Sequence, residues 1–181
     1  ITLPVGLTGK TLGILGLGQL GAGAAQVGHA LDMNVIAWSQ NLTQERCDET
    51  GVTLVSQEKL FEESDFLTVH LVLSNRTRGM IGKAELESMK ATAYIINTAR
   101  GPIIDETALI AALKSGTIAG AGLDVFDQEP LPKEHPLRNL PNVLISPHLG
   151  GRTRENFIAR YDDCVENVMS WLQQKPVRLL T

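Results

Sequence analysis

Gly16, Gly18 and Gly21 constrain this chain more than any other feature. They follow an apolar run, Thr11-Leu12-Gly13-Ile14-Leu15, and lead into a helical pattern. Strand, glycine turn and helix in that order form a place for phosphates. Gly16 permits a tight turn, Gly18 lets the backbone approach a pyrophosphate, and Gly21 lets the new helix pack closely on the strand. N–H groups at the helix start, with the helix dipole behind them, can then hold the anion. Three glycines can also simply make a turn. The surroundings argue for more. Leu20, Ala24, Val27 and Leu31 are expected on one helical face, and a second apolar run, Val35-Ile36-Ala37-Trp38, follows at βαβ distance.

Apolar strand patterns and helical patterns alternate along the whole chain. Strands are predicted at 11–15, 34–38, 53–55, 66–70, 93–97, 119–125 and 143–146. Helices are predicted at 19–31, 43–50, 57–63, 83–89, 106–115 and 153–174. That alternation predicts an α/β fold, a doubly wound parallel sheet with helices on both faces. Asp105 is a candidate N-cap and Gly116 a candidate C-cap. The last helix places Phe157, Tyr161, Cys164, Val168 and Trp171 on one stripe, with Lys175-Pro176 expected to stop it. Residues 129–141 hold four of the eight prolines and read as a rigid loop leaving the sheet.

The 181 residues suffice for one domain with a substantial core. The net charge of −4, with no basic run, argues against nucleic acid as a partner. No apolar stretch is long enough to span a membrane. Cys47 and Cys164 lie far apart without a partner motif, which predicts reduced thiols and a cytoplasmic protein. No metal site is expected. Because the chain begins at Ile1, it is expected to be a fragment or trimmed piece.

Ligands of an open parallel sheet bind beyond the carboxyl ends of the strands. Three polar clusters follow predicted strands there: Asn97-Thr98-Ala99-Arg100-Gly101-Pro102, Asp124-Val125-Phe126-Asp127-Gln128-Glu129-Pro130 and Ser146-Pro147-His148-Leu149-Gly150-Gly151. Each brings one strong functional group, an Arg, a Glu or a His, to the same edge of the sheet.

These three clusters and the glycine turn, in this order, resemble the motifs of the D-isomer-specific 2-hydroxyacid dehydrogenases. The resemblance covers essentially the whole chain. It implies that residues 1–181 are a Rossmann-type dinucleotide-binding domain. Residues from about 1 to 10 form a leading segment. Those from about 152 to 181 form a helix and tail that return to a substrate domain absent here. It also implies hydride transfer between a nicotinamide cofactor and a small D-2-hydroxy or 2-keto acid, carried out by a homodimer. The chain alone is expected to bind dinucleotide without turnover.

The resemblance implies three catalytic residues. Arg100 matches the arginine that grips the substrate carboxylate and polarises its carbonyl, a two-pronged task for a planar guanidinium. His148 matches the general acid–base. Glu129 matches its carboxylate partner, which favours imidazolium and fixes the tautomer. His29, His70 and His135 have no such setting and are expected to be structural or surface residues. The cofactor set implied is Gly16, Gly18, Gln19, Leu20 and Gly21 at the turn, Ser39 after the second strand, and Val72 and Thr77 after the fourth. Thr98, Arg100, Asp124, His148 and Gly151 complete it.

Two departures bear on the cofactor. Relatives that bind NAD usually end the second strand with an acidic residue; here Trp38 is followed by Ser39-Gln40-Asn41. No cation follows directly to take a 2′-phosphate, and Arg46 is some way along. The cofactor is NAD or NADP, with NAD favoured because that phosphate would lack a cation. The second departure is His70-Leu71-Val72-Leu73-Ser74, where the family often has a proline. Two other readings share the fold. Transcriptional corepressors that sense dinucleotides carry the same triad, but the acidic charge weighs against them. Formate dehydrogenases usually carry Gln where Glu129 stands.

Overall fold

The computed structural model describes residues 5–179. Residues 1–4 of the leading segment therefore lie outside the described residues. Among the described residues, seven strands form one parallel sheet: β1 (Thr11–Leu15), β2 (Asn34–Trp38), β3 (Thr53–Leu54), β4 (Phe66–Val69), β5 (Tyr94–Asn97), β6 (Gly120–Leu123) and β7 (Val143–Ile145). Their order in space is β3-β2-β1-β4-β5-β6-β7. The chain reverses direction across β1, and such a switch point opens a crevice at the carboxyl ends of the strands.

The register aligns those ends. Leu15 pairs with Trp38 on one side and with Val69 on the other. Val69 pairs with Asn97, Asn97 with Leu123, and Leu123 with Ile145. The residues that follow, Ser39, Gly16, His70, Thr98, Asp124 and Ser146, therefore leave the sheet along one line.

Alternate strand residues face opposite sides. Leu15, Ile36, Leu67, Val69 and Ile95 point toward α3 (Gln57–Glu63), α4 (Lys83–Ser88) and α5 (Glu106–Ser115). Ile14, Val35 and Ala37 point toward α1 (Gln19–Ala30) and α2 (Gln44–Thr50). Local signals end the helices as expected. The Asp105 side chain accepts from the Ala108 amide, and Gly116 closes α5 in the left-handed region.

Three local expectations need correction. The buried face of α1 is Gly21, Ala25 and Gly28, whereas Leu20, Val27 and Leu31 are exposed. Small residues let the helix lie close to β1, so proximity and not bulk selects the inner face. Two 3₁₀ turns, Gly101–Ile103 and Pro136–Asn139, each carry a proline in the first turn and lie in segments read as loops. The last helix, α6 (Arg154–Leu172), ends before Lys175-Pro176, with Gln173 as its C-cap.

The chain divides into two compact units, residues 1–148 and 149–181. The second contains α6, none of whose residues is buried. Its stripe of Phe157, Tyr161, Val168 and Trp171 is exposed. Arg178 ties this unit together with bonds to Asp163 and Glu166.

Asp65 anchors the start of β1 and β4. Its carboxylate accepts from the Thr11 amide at 2.8 Å and from Lys90 Nζ at 3.1 Å. Burial pushes this carboxyl up, but the Thr11 amide, the Lys90 hydrogen bond and charge, and the charge of Lys10 together hold it below its ordinary 3.8. Asp65→Ala leaves a donor unpaired and should cost about 1–3 kcal/mol at neutral pH. A depressed carboxylate stabilises the fold above its unfolded value and loses that contribution as pH falls through its folded one. The gap between wild type and Asp65→Ala in urea unfolding should therefore close below about pH 4.

Candidate active site

The glycine turn leads from β1 into α1. A Cβ on Gly21 would lie 2.1 Å from the Gly16 carbonyl oxygen, so the backbone itself demands a glycine there. Gly18 differs. A Cβ there would meet nothing within 4 Å among the described residues, and its backbone is ordinary extended chain. The fold does not require this glycine. No side chain caps α1, so Gln19, Leu20 and Gly21 begin a helix whose first amides are left to an external acceptor. An uncapped helix start beside a bare glycine fits a pyrophosphate.

The Arg100 loop is fixed by Asn97 beneath it. Asn97 is buried; its Oδ1 accepts from the Ala99 amide and its Nδ2 donates to the Arg100 carbonyl, both at 3.0 Å. Thr98 and Arg100 stay exposed, and Arg100 Nη1 donates to the Ala99 carbonyl at 2.6 Å. A Cβ on Gly101 would sit 2.1 Å from the Phe126 carbonyl carbon. The Arg100 loop thus packs backbone to backbone on the loop that carries Glu129.

Glu129 and His148 meet. His148 Nδ1 donates to Glu129 Oε2 at 2.6 Å, and the Phe126 amide donates to Glu129 Oε1 at 3.0 Å. Burial pushes the Glu129 carboxyl up. The hydrogen bonds from His148 and Phe126, with the charges of His148 and Arg100, outweigh that and hold it below the usual carboxylate range. The His148 backbone is left-handed, with φ 51°, and its amide donates to the Asp124 carbonyl at 2.9 Å. Asp124 is buried and accepts from Ser146 Oγ at 2.5 Å.

The remaining predicted residues fall as follows. Ser39 directly follows β2 and its carbonyl accepts from the Leu42 amide. Val72 is 83% exposed, and the Thr77 hydroxyl staples its turn by donating to the Val72 carbonyl and accepting from the Ser74 amide, both at 2.8 Å. Gly151 belongs to the second unit, where its carbonyl accepts from Asn156 Nδ2 at 2.9 Å.

Two residues of the strand-end clusters, Asn97 and Ser146, hold loops in a way the sequence reading did not show. Asn97 and Ser146 looked like ordinary polar positions; lying at strand ends inside the polar clusters was their only signal. His135 is not without a carboxylate: its Nε2 lies 3.0 Å from Glu106 Oε1. His70 bonds Thr68 Oγ1 at 3.0 Å, and burial pushes its imidazole down. Arg46, some way along the sequence, reaches the glycine turn, with Nε 3.4 Å from the Leu17 carbonyl oxygen.

Comparison with known proteins decides the family. Residues 2–150 match the family model described as D-isomer specific 2-hydroxyacid dehydrogenase, NAD binding domain. The chain belongs to this family. It is 44% identical over 173 residues to a glyoxylate reductase of Aeropyrum pernix, covering 96% of the chain and 52% of that relative. It is 44% identical over 169 residues to a D-3-phosphoglycerate dehydrogenase of Synechocystis, covering 93% of the chain and 30% of that relative. The crystal structure of a glyoxylate reductase from Paecilomyes thermophila superposes with a TM-score of 0.86 at 40% identity. That match covers 99% of this chain and 54% of the other. The chain spans about half the length, or less, of the curated relatives it matches.

Gly18 provides a test that separates fold from ligand. Gly18→Asp should cap α1 and leave the melting temperature unchanged or higher. The same carboxylate would occupy the phosphate place and repel it. NADH affinity measured by calorimetry should fall by about tenfold or more.

Proposed function

We propose that the protein containing this chain is an NAD(P)-dependent oxidoreductase that interconverts a small 2-keto acid and its D-2-hydroxy acid. The observation that carries this is the 2.6 Å contact between His148 and Glu129 at the sheet edge that holds the glycine turn. Gly16, Gly18, Gln19, Leu20 and Gly21 would hold the pyrophosphate. Ser39, Val72, Thr77, Thr98 and Asp124 would line the rest of the dinucleotide. The bound cofactor supplies the hydride.

The chain's own residues do the rest. Arg100 takes the substrate carboxylate through its guanidinium fork and draws electron density from the adjacent carbonyl. His148 spends Nδ1 on Glu129, which leaves Nε2 as the nitrogen that gives a proton to the carbonyl oxygen. Glu129, ionised across the neutral range, fixes the ring and pairs with its charged form. In the oxidative direction His148 takes the proton back. The names of the relatives support glyoxylate and hydroxy acids of similar size as first substrates to try. A corepressor role draws no support from them.

A cytoplasmic homodimer belongs to the same proposal. Free Cys47 and Cys164 support a reducing compartment. Exposed Leu20, Val27 and Leu31 on α1 support a partner surface.

The test is oxidation of NADH and NADPH by the whole protein with a panel of 2-keto acids. No turnover with any of them would sink the proposal. His148→Ala should lower kcat by about 10²–10⁴-fold while NADH binding barely changes. Glu129→Gln should lower kcat while NADH binding barely changes, because the ring loses the carboxylate that orients it.

Arg100→Lys keeps the charge and loses the fork. KM for keto acids should rise far more than Kd for NADH, read from steady-state kinetics beside a binding titration. An equal rise in both would assign Arg100 to the cofactor.

A further inference from the structure

Ser39, Gln40 and Asn41 carry no charge, but α2, which follows them in the chain, brings Arg46 to the glycine turn. The turn after β2 closes on itself through the Leu42 amide and the Ser39 carbonyl, at 3.0 Å. Thr43 then caps α2, accepting from the Arg46 amide at 3.2 Å. Cys47 of α2 and Leu17 of the glycine turn are both buried in one apolar cluster. Packing therefore draws the first turn of α2 against the glycine turn. Arg46, one residue before Cys47, lies over it with Nε 3.4 Å from the Leu17 carbonyl oxygen. Its Nη1 donates to Glu49 Oε2 at 2.8 Å.

In a doubly wound sheet the ribose nearest the glycine turn is read at the end of the second strand. An acidic residue there selects NAD, and an arginine nearby admits the 2′-phosphate of NADP. This inference rests on the reading of the glycine turn as a dinucleotide site. We infer that Arg46 is the cation for a 2′-phosphate and that Glu49 holds its guanidinium when no phosphate is present. The pair is exposed, at 39% and 58% for the two side chains. Exposed pairs of this kind are weak. A phosphate offers the guanidinium two charge-assisted bonds where the carboxylate has one here. NADPH can therefore take Arg46 from Glu49, while NADH leaves the pair in place. With no acid at Ser39 to repel the phosphate, the site accepts both cofactors, and the Arg46–Glu49 pair sets their ratio.

The experiment is titration of the chain with NADH and with NADPH, for wild type, Arg46→Gln, Arg46→Lys and Glu49→Gln, with melting temperatures as the check on folding. Arg46→Gln should weaken NADPH by about tenfold or more and NADH by less than about twofold. Arg46→Lys should recover part of the NADPH affinity. Glu49→Gln should tighten NADPH by about two- to fivefold and leave NADH unchanged. Raising the salt should erode the NADPH affinity faster than that of NADH. Equal losses for both cofactors in Arg46→Gln, or no loss in either, would overturn the inference. So would retention of NADPH affinity when Glu49→Gln and Arg46→Gln are combined. A wild type that binds neither cofactor would overturn the dinucleotide reading itself, a result distinct from those.

Discussion

The parallel hydrogen-bond register running outward from β1 governs everything built above it. Six strand ends stop level with one another, from Trp38 through Leu15, Val69, Asn97 and Leu123 to Ile145. Backbone ladders make this alignment, and side chains only choose which face is buried. Residues far apart in sequence thereby leave the sheet at one height. A polar side chain placed one position past a strand end is delivered to the common edge without any dedicated contact.

What the register cannot do is hold loops still, and three local devices do that. Asn97 spends both ends of its amide on the backbone of its own loop. Gly101 removes a side chain so that this loop can lie on the backbone of Phe126 and Asp127. The Phe126 amide then holds one oxygen of Glu129, whose other oxygen takes His148. The link between the Arg100 loop and the Glu129 loop runs backbone to backbone, which is stiffer than a link through long side chains, and the Glu129 carboxylate carries it on to His148. Charge adds to it: the hydrogen bonds from His148 and Phe126, with the charges of His148 and Arg100, overcome the burial that would otherwise raise the Glu129 carboxyl.

Much of this was legible in the sequence, and the reason is periodicity. The buried strands read as apolar runs because both faces are covered, and the caps Asp105 and Gly116 read as caps because their chemistry is local. The inner face of α1 was not legible by the same logic. Hydrophobicity pointed to Leu20, Val27 and Leu31, but the helix approaches too closely for them, and Gly21, Ala25 and Gly28 face inward. Contacts that depend on three dimensions were equally hidden. Arg46 beside Leu17, and Ser146 on Asp124, join residues that no local pattern links.

Gly18 and Gly21 look alike in the sequence and answer to different masters. Gly21 is held by steric exclusion inside the protein, whereas nothing among the described residues lies within 4 Å of a Cβ built at Gly18. A screen that scores variants by folding would reject changes at Gly21 and pass nearly all of them at Gly18. Drift under selection for stability alone would therefore erase Gly18 first. A descendant with an intact sheet and a substituted Gly18 would carry the shape of this domain with the open space beside Gly18 already filled.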